Sequence, residues 1–411
     1  MKGAVSGEAT ADIGPRLRPL DVRLFSEGGQ SFYFLRDPLG LAPEDTFLPA
    51  WAGPLLALMD GSRDLRQLQV SFQLLTGRYL PLSQLQELVA ELDRRLLLDG
   101  PRLAEARRRA LQEYRSAPAR PPALAGKAYP SDPDELVRTL DDYCARAGCP
   151  PPLPEGAQVA GVISPHIDYG RGWRTYGLVW QAAATACREA EVALVLGTDH
   201  AGGGILSLTR QSYATPFGVL PTAREAVDAV ARVLGEDAAF ADELHHRGEH
   251  SIELPLVWLH RLRGGEPLPV VPVLCGSLLH AAEGERQRLE AALEVLARWL
   301  EGRRALIVAG ADLAHVGPAF GDPAPYGLAD RARLRAADAR LLAAIEGGDA
   351  EGFLGAVAAD GDRYRICGLS PVYLALRLLR GCRGLALAYD QCPADPQGGS
   401  LVSVAGAVLW R

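Results

Sequence analysis

The sequence predicts an α/β protein with a mostly parallel or mixed sheet flanked by helices, preceded by a small α+β unit of winged-helix type. From about Ala123 to Arg411, short Val/Leu-rich runs alternate with longer stretches of helical periodicity. That alternation marks one α/β domain, with cover helices on both faces burying the apolar strands. Between residues 19 and about 102, strand-like pieces precede three short helical patterns and a closing strand or turn. The segment between these regions, residues 103 to 122, changes character to a charged helix and a Pro-rich stretch.

Taken in order, residues 1 to about 18 read as a flexible tail. Ser31 to Leu35 is a strand, followed by a loop at Asp37-Pro38-Leu39-Gly40. A helix around Leu55 to Met59 stops at Asp60-Gly61, and a second, through Leu65, Leu68, Phe72 and Leu75, breaks at Gly77. The third runs from Leu82 to Leu96, with Leu85, Leu88, Val89 and Leu92 at helical spacing. Leu96 to Gly100 is a strand or turn. Glu105 to Arg115 is a charged helix whose Arg107, Arg108 and Arg109 form a solvated face, and Ser116 to Pro122 is a stiff linker. Beyond it, helices are expected at Asp132 to Ala147, Thr175 to Ala190, Thr222 to Leu234, Glu283 to Leu300, Leu328 to Glu346 and Pro371 to Leu379. Strands are expected at 159 to 163, 192 to 196, 270 to 274, 305 to 308, 384 to 389 and 401 to 409.

Composition narrows the function classes. A formal net charge of −7 over 411 residues argues against a nucleic-acid binder, which would carry a basic face. The seven cysteines are odd in number, irregular in spacing and form no CxxC pair. A disulfide framework is therefore not expected, and a reducing cytoplasm is the simpler location. Neither a secretory leader in Met1 to Gly14 nor an apolar run of the ~20 residues needed to span a bilayer is visible, so no membrane role is expected.

The histidines carry the functional signal. All eight lie between His166 and His315. Three follow short apolar runs: Val159 to Ile163 leads to His166, Val192 to Leu196 to His200, and Ala305 to Val308 to His315. Ligands in open α/β sheets bind beyond the carboxyl ends of strands, so these three are expected to meet at one site. Asp168 is placed to orient His166 or to add a ligand. Asp312 and His315, three apart, would share a face on a helical turn and act as an acid/base pair or as a ligand with its orienting carboxylate. In Glu249-His250-Ser251-Ile252-Glu253, capping explains the acids and the serine but not His250. Cys367, just before an apolar helix, is read either as a thiol whose pKa the helix dipole lowers or as a buried structural cysteine. Two imidazoles and a thiolate suit Cu, Fe or Zn. The glycines at 202 to 204 lack the spacing of a phosphate loop. His245, His246, His260 and His280 read as core or surface residues, with His245-His246 exposed in a loop.

Seven ordered elements resemble the Memo-like family, in the AmmeMemoRadiSam system protein B group. Pro121 to Pro130 resembles the family's opening AGxFYP, and SPHIDYG (164–170) its PHAGY element. LGTDH (196–200) is similar to LGPSH, and TPFG (215–218) to TPLG. EHSIELPL (249–256) is similar to EHSIEMHLP, ADLAHVG (311–317) to SDFSHWG, and Cys367-Gly368 to a late Cys-Gly. The first unit resembles PqqD-like peptide-recognition domains through residues 58 to 68 and 92 to 100.

The resemblance implies a fold like the class III extradiol dioxygenases (the LigB type). It also implies a single metal ion, Fe or Cu ahead of Zn, held by His166, His200 and Cys367. His315 steered by Asp312 would be the acid/base, with Glu249 and His250 lining the pocket. The thiolate replaces the carboxylate of the dioxygenases, which argues against ring cleavage. Ile167-Asp168 stands where the pattern has Ala-Gly, and one family histidine is missing after Leu254. The implied function is a metal-dependent redox or oxygenase-like enzyme working with a radical-SAM protein, the first unit recruiting a peptide or protein. A non-catalytic scaffold and an extradiol-type dioxygenase are the alternatives.

Overall fold

The computed structural model describes residues 14–279 and 281–411, and the chain divides between Glu113 and Tyr114 into two units. In the first, strands β1 (Asp21–Glu27), β2 (Gln30–Arg36) and β3 (Thr46–Pro49) form an antiparallel sheet in that order. Helices α1 (Gly53–Leu58), α2 (Leu65–Thr76) and α3 (Leu82–Arg94) follow. Leu35, Leu55, Leu68, Phe72, Leu85 and Leu92 make its core. The side chain of Asp64 accepts the amides of Arg66 and Gln67, and the Gln67 side chain accepts the Asp64 amide, which starts α2 with both orphan donors satisfied. Of the expected tail, residues 1–13 lie outside the described residues. Leu17 pairs with Leu98, and Arg18 is buried in an ion pair with Asp37. Helix α4 (Pro101–Ser116) carries Arg107, Arg108 and Arg109 on its exposed face.

The second unit contains α5 (Pro133–Ala147), β4 (Val159–Ser164), α6 (Tyr169–Glu189), β5 (Val192–Thr198) and the short β6 (Leu206–Leu208). A hairpin of β7 (Tyr213–Thr215) and β8 (Gly218–Leu220) follows, then α7 (Arg224–Leu234), α8 (Glu236–Phe240), α9 (His250–Leu262) and β9 (Val270–Cys275). The rest is α10 (Glu283–Leu300), β10 (Ala305–Gly310), β11 (His315–Val316), α11 (Leu328–Gly347), α12 (Ala350–Ala359), α13 (Leu369–Leu378), β12 (Arg383–Pro393) and β13 (Leu401–Trp410). All six expected strands form. Helix α6 starts six residues earlier than its periodicity suggests, because Asp168 caps it by accepting the Arg171 amide. Helices α9 and α12 were not legible.

The main sheet runs β11-β13-β4-β10-β5-β9-β6, with β12 added on β13. Strands β4, β10, β5 and β9 are parallel, whereas β13, β12 and β6 are antiparallel to their neighbours, so the sheet is mixed. Alternation splits the core in two. Leu194, Leu196, Val271 and Val273 face α7, α10 and α13. Ala193, Val195, Val270 and Leu274 face α6 and α9. Among the described residues no helix is long and apolar enough to cross a membrane. His280 lies outside the described residues.

One buried acid makes stability pH-dependent. Asp338 on α11 is fully buried and accepts the Tyr389 hydroxyl at 2.8 Å. Burial pushes its pKa from 3.8 up to about 6, against the lowering by its hydrogen bonds from Ser403 and Tyr389. The unfolded chain therefore ionises first, and stability falls as pH rises from about 4 to 6, after which the penalty is constant. Asp338→Asn escapes that penalty. Its stability relative to the parent should climb across this window by about 2–3 kcal/mol. Denaturation midpoints at pH 4, 6 and 8 measure it; a difference that does not change with pH would contradict the assignment.

Candidate metal centre

Strands β4, β10 and β5 lie side by side and parallel, with Gly310 in register with both Ser164 and Gly197. Their carboxyl ends therefore deliver His166, Asp312 and His200 to one place. Helix α9 brings the fourth participant, His250, as its first residue. Close approach of α9 to the strand ends requires glycine beneath it. A Cβ on Gly310 would lie 1.9 Å from the Ser251 carbonyl oxygen, and one on Gly197 2.5 Å from Ser251 Oγ.

One ring nitrogen from each of His166, His200 and His250 lies within 4.8 Å of the others. The His200 and His250 rings stack with centroids 4.7 Å apart, and the His166 ring stands edge-on, 5.0 Å from His200 and 5.2 Å from His250. The Nδ1 atoms are already engaged. His166 Nδ1 donates to the Gly310 carbonyl at 2.9 Å. His200 Nδ1 donates to Glu249 at 3.0 Å, and His250 Nδ1 lies 3.1 Å from the same carboxylate. That directs the Nε2 lone pair of each ring away from its anchor, as in metal-binding imidazoles. Glu249 is the N-cap of α9 and also accepts the amides of His250 at 2.7 Å, Ser251 at 2.9 Å and His200 at 3.2 Å.

Cys367 lies beside the cluster, its Sγ 3.3 Å from His166 Nε2. Its segment is set by Thr198 Oγ1 donating to the Cys367 carbonyl at 2.9 Å and the Gly368 amide donating to the Asp312 carbonyl at 2.9 Å. Just upstream, Arg365 sits in the left-handed region (φ 54°) with Nε donating to the His315 carbonyl at 2.8 Å and Nη2 paired with Asp322 at 2.6 Å. Backbone strain of this kind persists where surrounding contacts over-determine it.

Burial, reinforced by the neighbouring His200 and His250, holds His166 well below its ordinary pKa, so its ring is neutral. Burial opposes charge on His200 too, but Glu249 outweighs it and raises His200, while His200 and His250 overcome burial to lower Glu249. Burial raises Asp312 and depresses His315. His166 is buried, whereas the His200 and His250 side chains are 35% and 37% exposed, so the centre opens to solvent on their side. Three imidazoles whose ring nitrogens lie this close together, with a thiol beside one of them, fit a single borderline or soft metal ion.

A family profile described as Memo-like protein matches residues 120–408. The chain belongs to the Memo-like family. A MEMO1 family protein of Aquifex aeolicus is 28% identical over 404 residues, covering 96% of this chain and 100% of that protein, so the likeness spans both units. One of Thermus thermophilus is 30% identical over 333 residues, covering 80% of this chain and 94% of its own length. The mixed α/β sheet flanked by helices is consistent with a Memo and LigB-like fold.

Within this Memo centre the structure gathers His166, His200, His250, Glu249, Asp312 and Cys367. Several expectations need correction. Asp312 and His315 do not share a helical turn: Asp312 follows β10 in a loop and His315 opens β11. Asp312 Oδ1 accepts the His166 amide at 2.9 Å, and His315 Nδ1 lies 3.2 Å from the Leu313 carbonyl. Asp168 does not join the site; it pairs with Arg171. Cys367 lies two residues before α13 begins at Leu369, and burial pushes its thiol pKa up rather than down. His245 and His246 are buried, not exposed. His245 Nδ1 pairs with Asp199 at 2.8 Å, and His246 bonds Tyr213 and the Ser207 carbonyl. Burial holds His246 down at about 3. His260 is a satisfied core residue between Thr215 and the Gly265 carbonyl. The role of Glu249 as anchor for two imidazoles was signalled only by its place before His250 in a capping position.

Proposed function

We propose that this Memo-family protein binds one iron or copper ion through His166, His200, His250 and Cys367 and performs redox chemistry there. The observation that carries the reading is the convergence of three Nδ1-anchored imidazoles, with the Cys367 thiol 3.3 Å from one of them. When bound, such a metal supplies one-electron redox chemistry. Glu249 and the Gly310 carbonyl fix the tautomers of the three rings. The thiol of Cys367, its pKa raised by burial, gives up its proton when it takes a metal. His315, half-buried and held below its ordinary pKa by burial, feels Asp312 and His200 from the edge of the centre and would take a substrate proton.

The first unit supports a recruiting role beside a radical-SAM protein. On its sheet Phe34 contacts Phe25 and Phe47, and those two rings are 50% and 64% exposed. Exposed aromatic patches of this kind mark interaction surfaces. Protein purified without a polyhistidine tag should carry about one equivalent of Fe or Cu by elemental analysis, and folded His166→Ala should lose it. Metal-free parent protein, or full occupancy in the variant, would overturn the proposal.

A further inference from the structure

Arg120 belongs to a Pro-rich stretch yet has no exposed surface. Its guanidinium meets three acceptors on one segment. Nε donates to the His246 carbonyl at 2.9 Å, Nη2 to the Glu249 carbonyl at 2.8 Å, and Nη1 to the Glu253 carboxylate. The group lies 5.1 Å from the centroid of the Tyr213 ring, and the Tyr213 hydroxyl is 2.7 Å from His246 Nδ1. Glu253 is fully satisfied from the other side, accepting the amides of Ala123 at 2.8 Å and Leu124 at 2.9 Å and the Tyr129 hydroxyl at 2.5 Å.

Two of these acceptors bracket the residue that organises the site. The carbonyls of His246 and Glu249 are the ends of the short segment entering α9, and the Glu249 side chain anchors His200 and His250. We propose that Arg120 is a positioning residue of the metal centre: by clamping the 246–249 backbone it sets where the Glu249 carboxylate meets the two imidazoles. This inference rests on the metal reading above. A planar fork suits three acceptors in fixed directions, and a lysine ammonium at the same place reaches fewer of them. A merely structural salt bridge would hold the fold without affecting the imidazoles.

Arg120→Met/Glu253→Gln removes both buried charges together, which a fold tolerates far better than orphaning one. Cobalt(II), added to metal-free protein, serves as the probe. The double variant should bind Co(II) about 10–100-fold more weakly than the parent, with an altered visible spectrum. Arg120→Lys should fall between the two. Nitrogen-detected NMR of the imidazoles in metal-free protein should show the His200 and His250 Nδ1 signals displaced in the double variant. An unchanged Co(II) affinity and spectrum, or unchanged imidazole signals, in a folded double variant would overturn the proposal. If the parent itself binds no Co(II), the metal reading fails while the NMR comparison still decides the role of Arg120. If the double variant does not fold, Arg120→Lys decides by the same two readouts.

Discussion

Gly310→Ala should dismantle the candidate metal centre. The added Cβ would sit 1.9 Å from the Ser251 carbonyl oxygen, 3.0 Å from its carbon and 3.2 Å from Pro255 Cγ. Strand β10 cannot retreat, because it is bonded to β4 on one side and β5 on the other. The first turn of α9 must move instead, carrying Glu249 and His250 with it. Overpacking a close-packed contact costs about 1–3 kcal/mol, and a backbone clash in the centre of a sheet belongs at the upper end. Chemical denaturation should show a loss of about 3 kcal/mol, and the folded fraction should bind no metal. A variant with the parental midpoint and full metal content would show that α9 is not held where the structure puts it.

Glu249→Ala should cost more in metal affinity than removal of any other side chain that does not itself bind the ion. Its carboxylate anchors Nδ1 of two of the three imidazoles and caps α9. Removing one outer partner of a metal-binding imidazole typically costs 10–100-fold in affinity. Here one substitution releases two rings, so a loss of about 100-fold or more is expected. Loss of the cap adds about 1 kcal/mol of destabilisation. Glu249→Gln should fall nearly as far, since an amide offers one acceptor oxygen where the carboxylate serves five donors. Competition titration against a chelator of known affinity measures both. Affinity within threefold of the parent would remove Glu249 from the site.

The strands and two of the site histidines were legible because they obey local rules. Val159 to Ile163 and Val192 to Leu196 are short apolar runs closed by Pro or Gly, and such runs present the next residues at the sheet edge. The third imidazole was harder to find. Helix α9 is buried on every side and carries Pro255, so its sequence shows neither helical periodicity nor an uninterrupted helical composition. Its cap, Glu249, was visible, but the second imidazole that makes it an anchor, His200, comes from the turn after β5, about fifty residues away in sequence. The spacing of Asp312 and His315 misled for a related reason: a three-residue separation puts side chains together only on a helix, and this segment is extended. For Cys367 the helix dipole and burial oppose each other, and only the structure reveals which wins. Arg120 looked like part of a linker because a Pro-rich stretch carries no mark of the buried carboxylate it meets.

X-ray absorption at the metal edge of the loaded protein tests the central claim most directly. A centre built from His166, His200, His250 and Cys367 predicts one metal with imidazole scattering and a single sulfur neighbour, the sulfur disappearing in Cys367→Ser. A loaded protein with no sulfur neighbour, or a sulfur signal that survives Cys367→Ser, would contradict it.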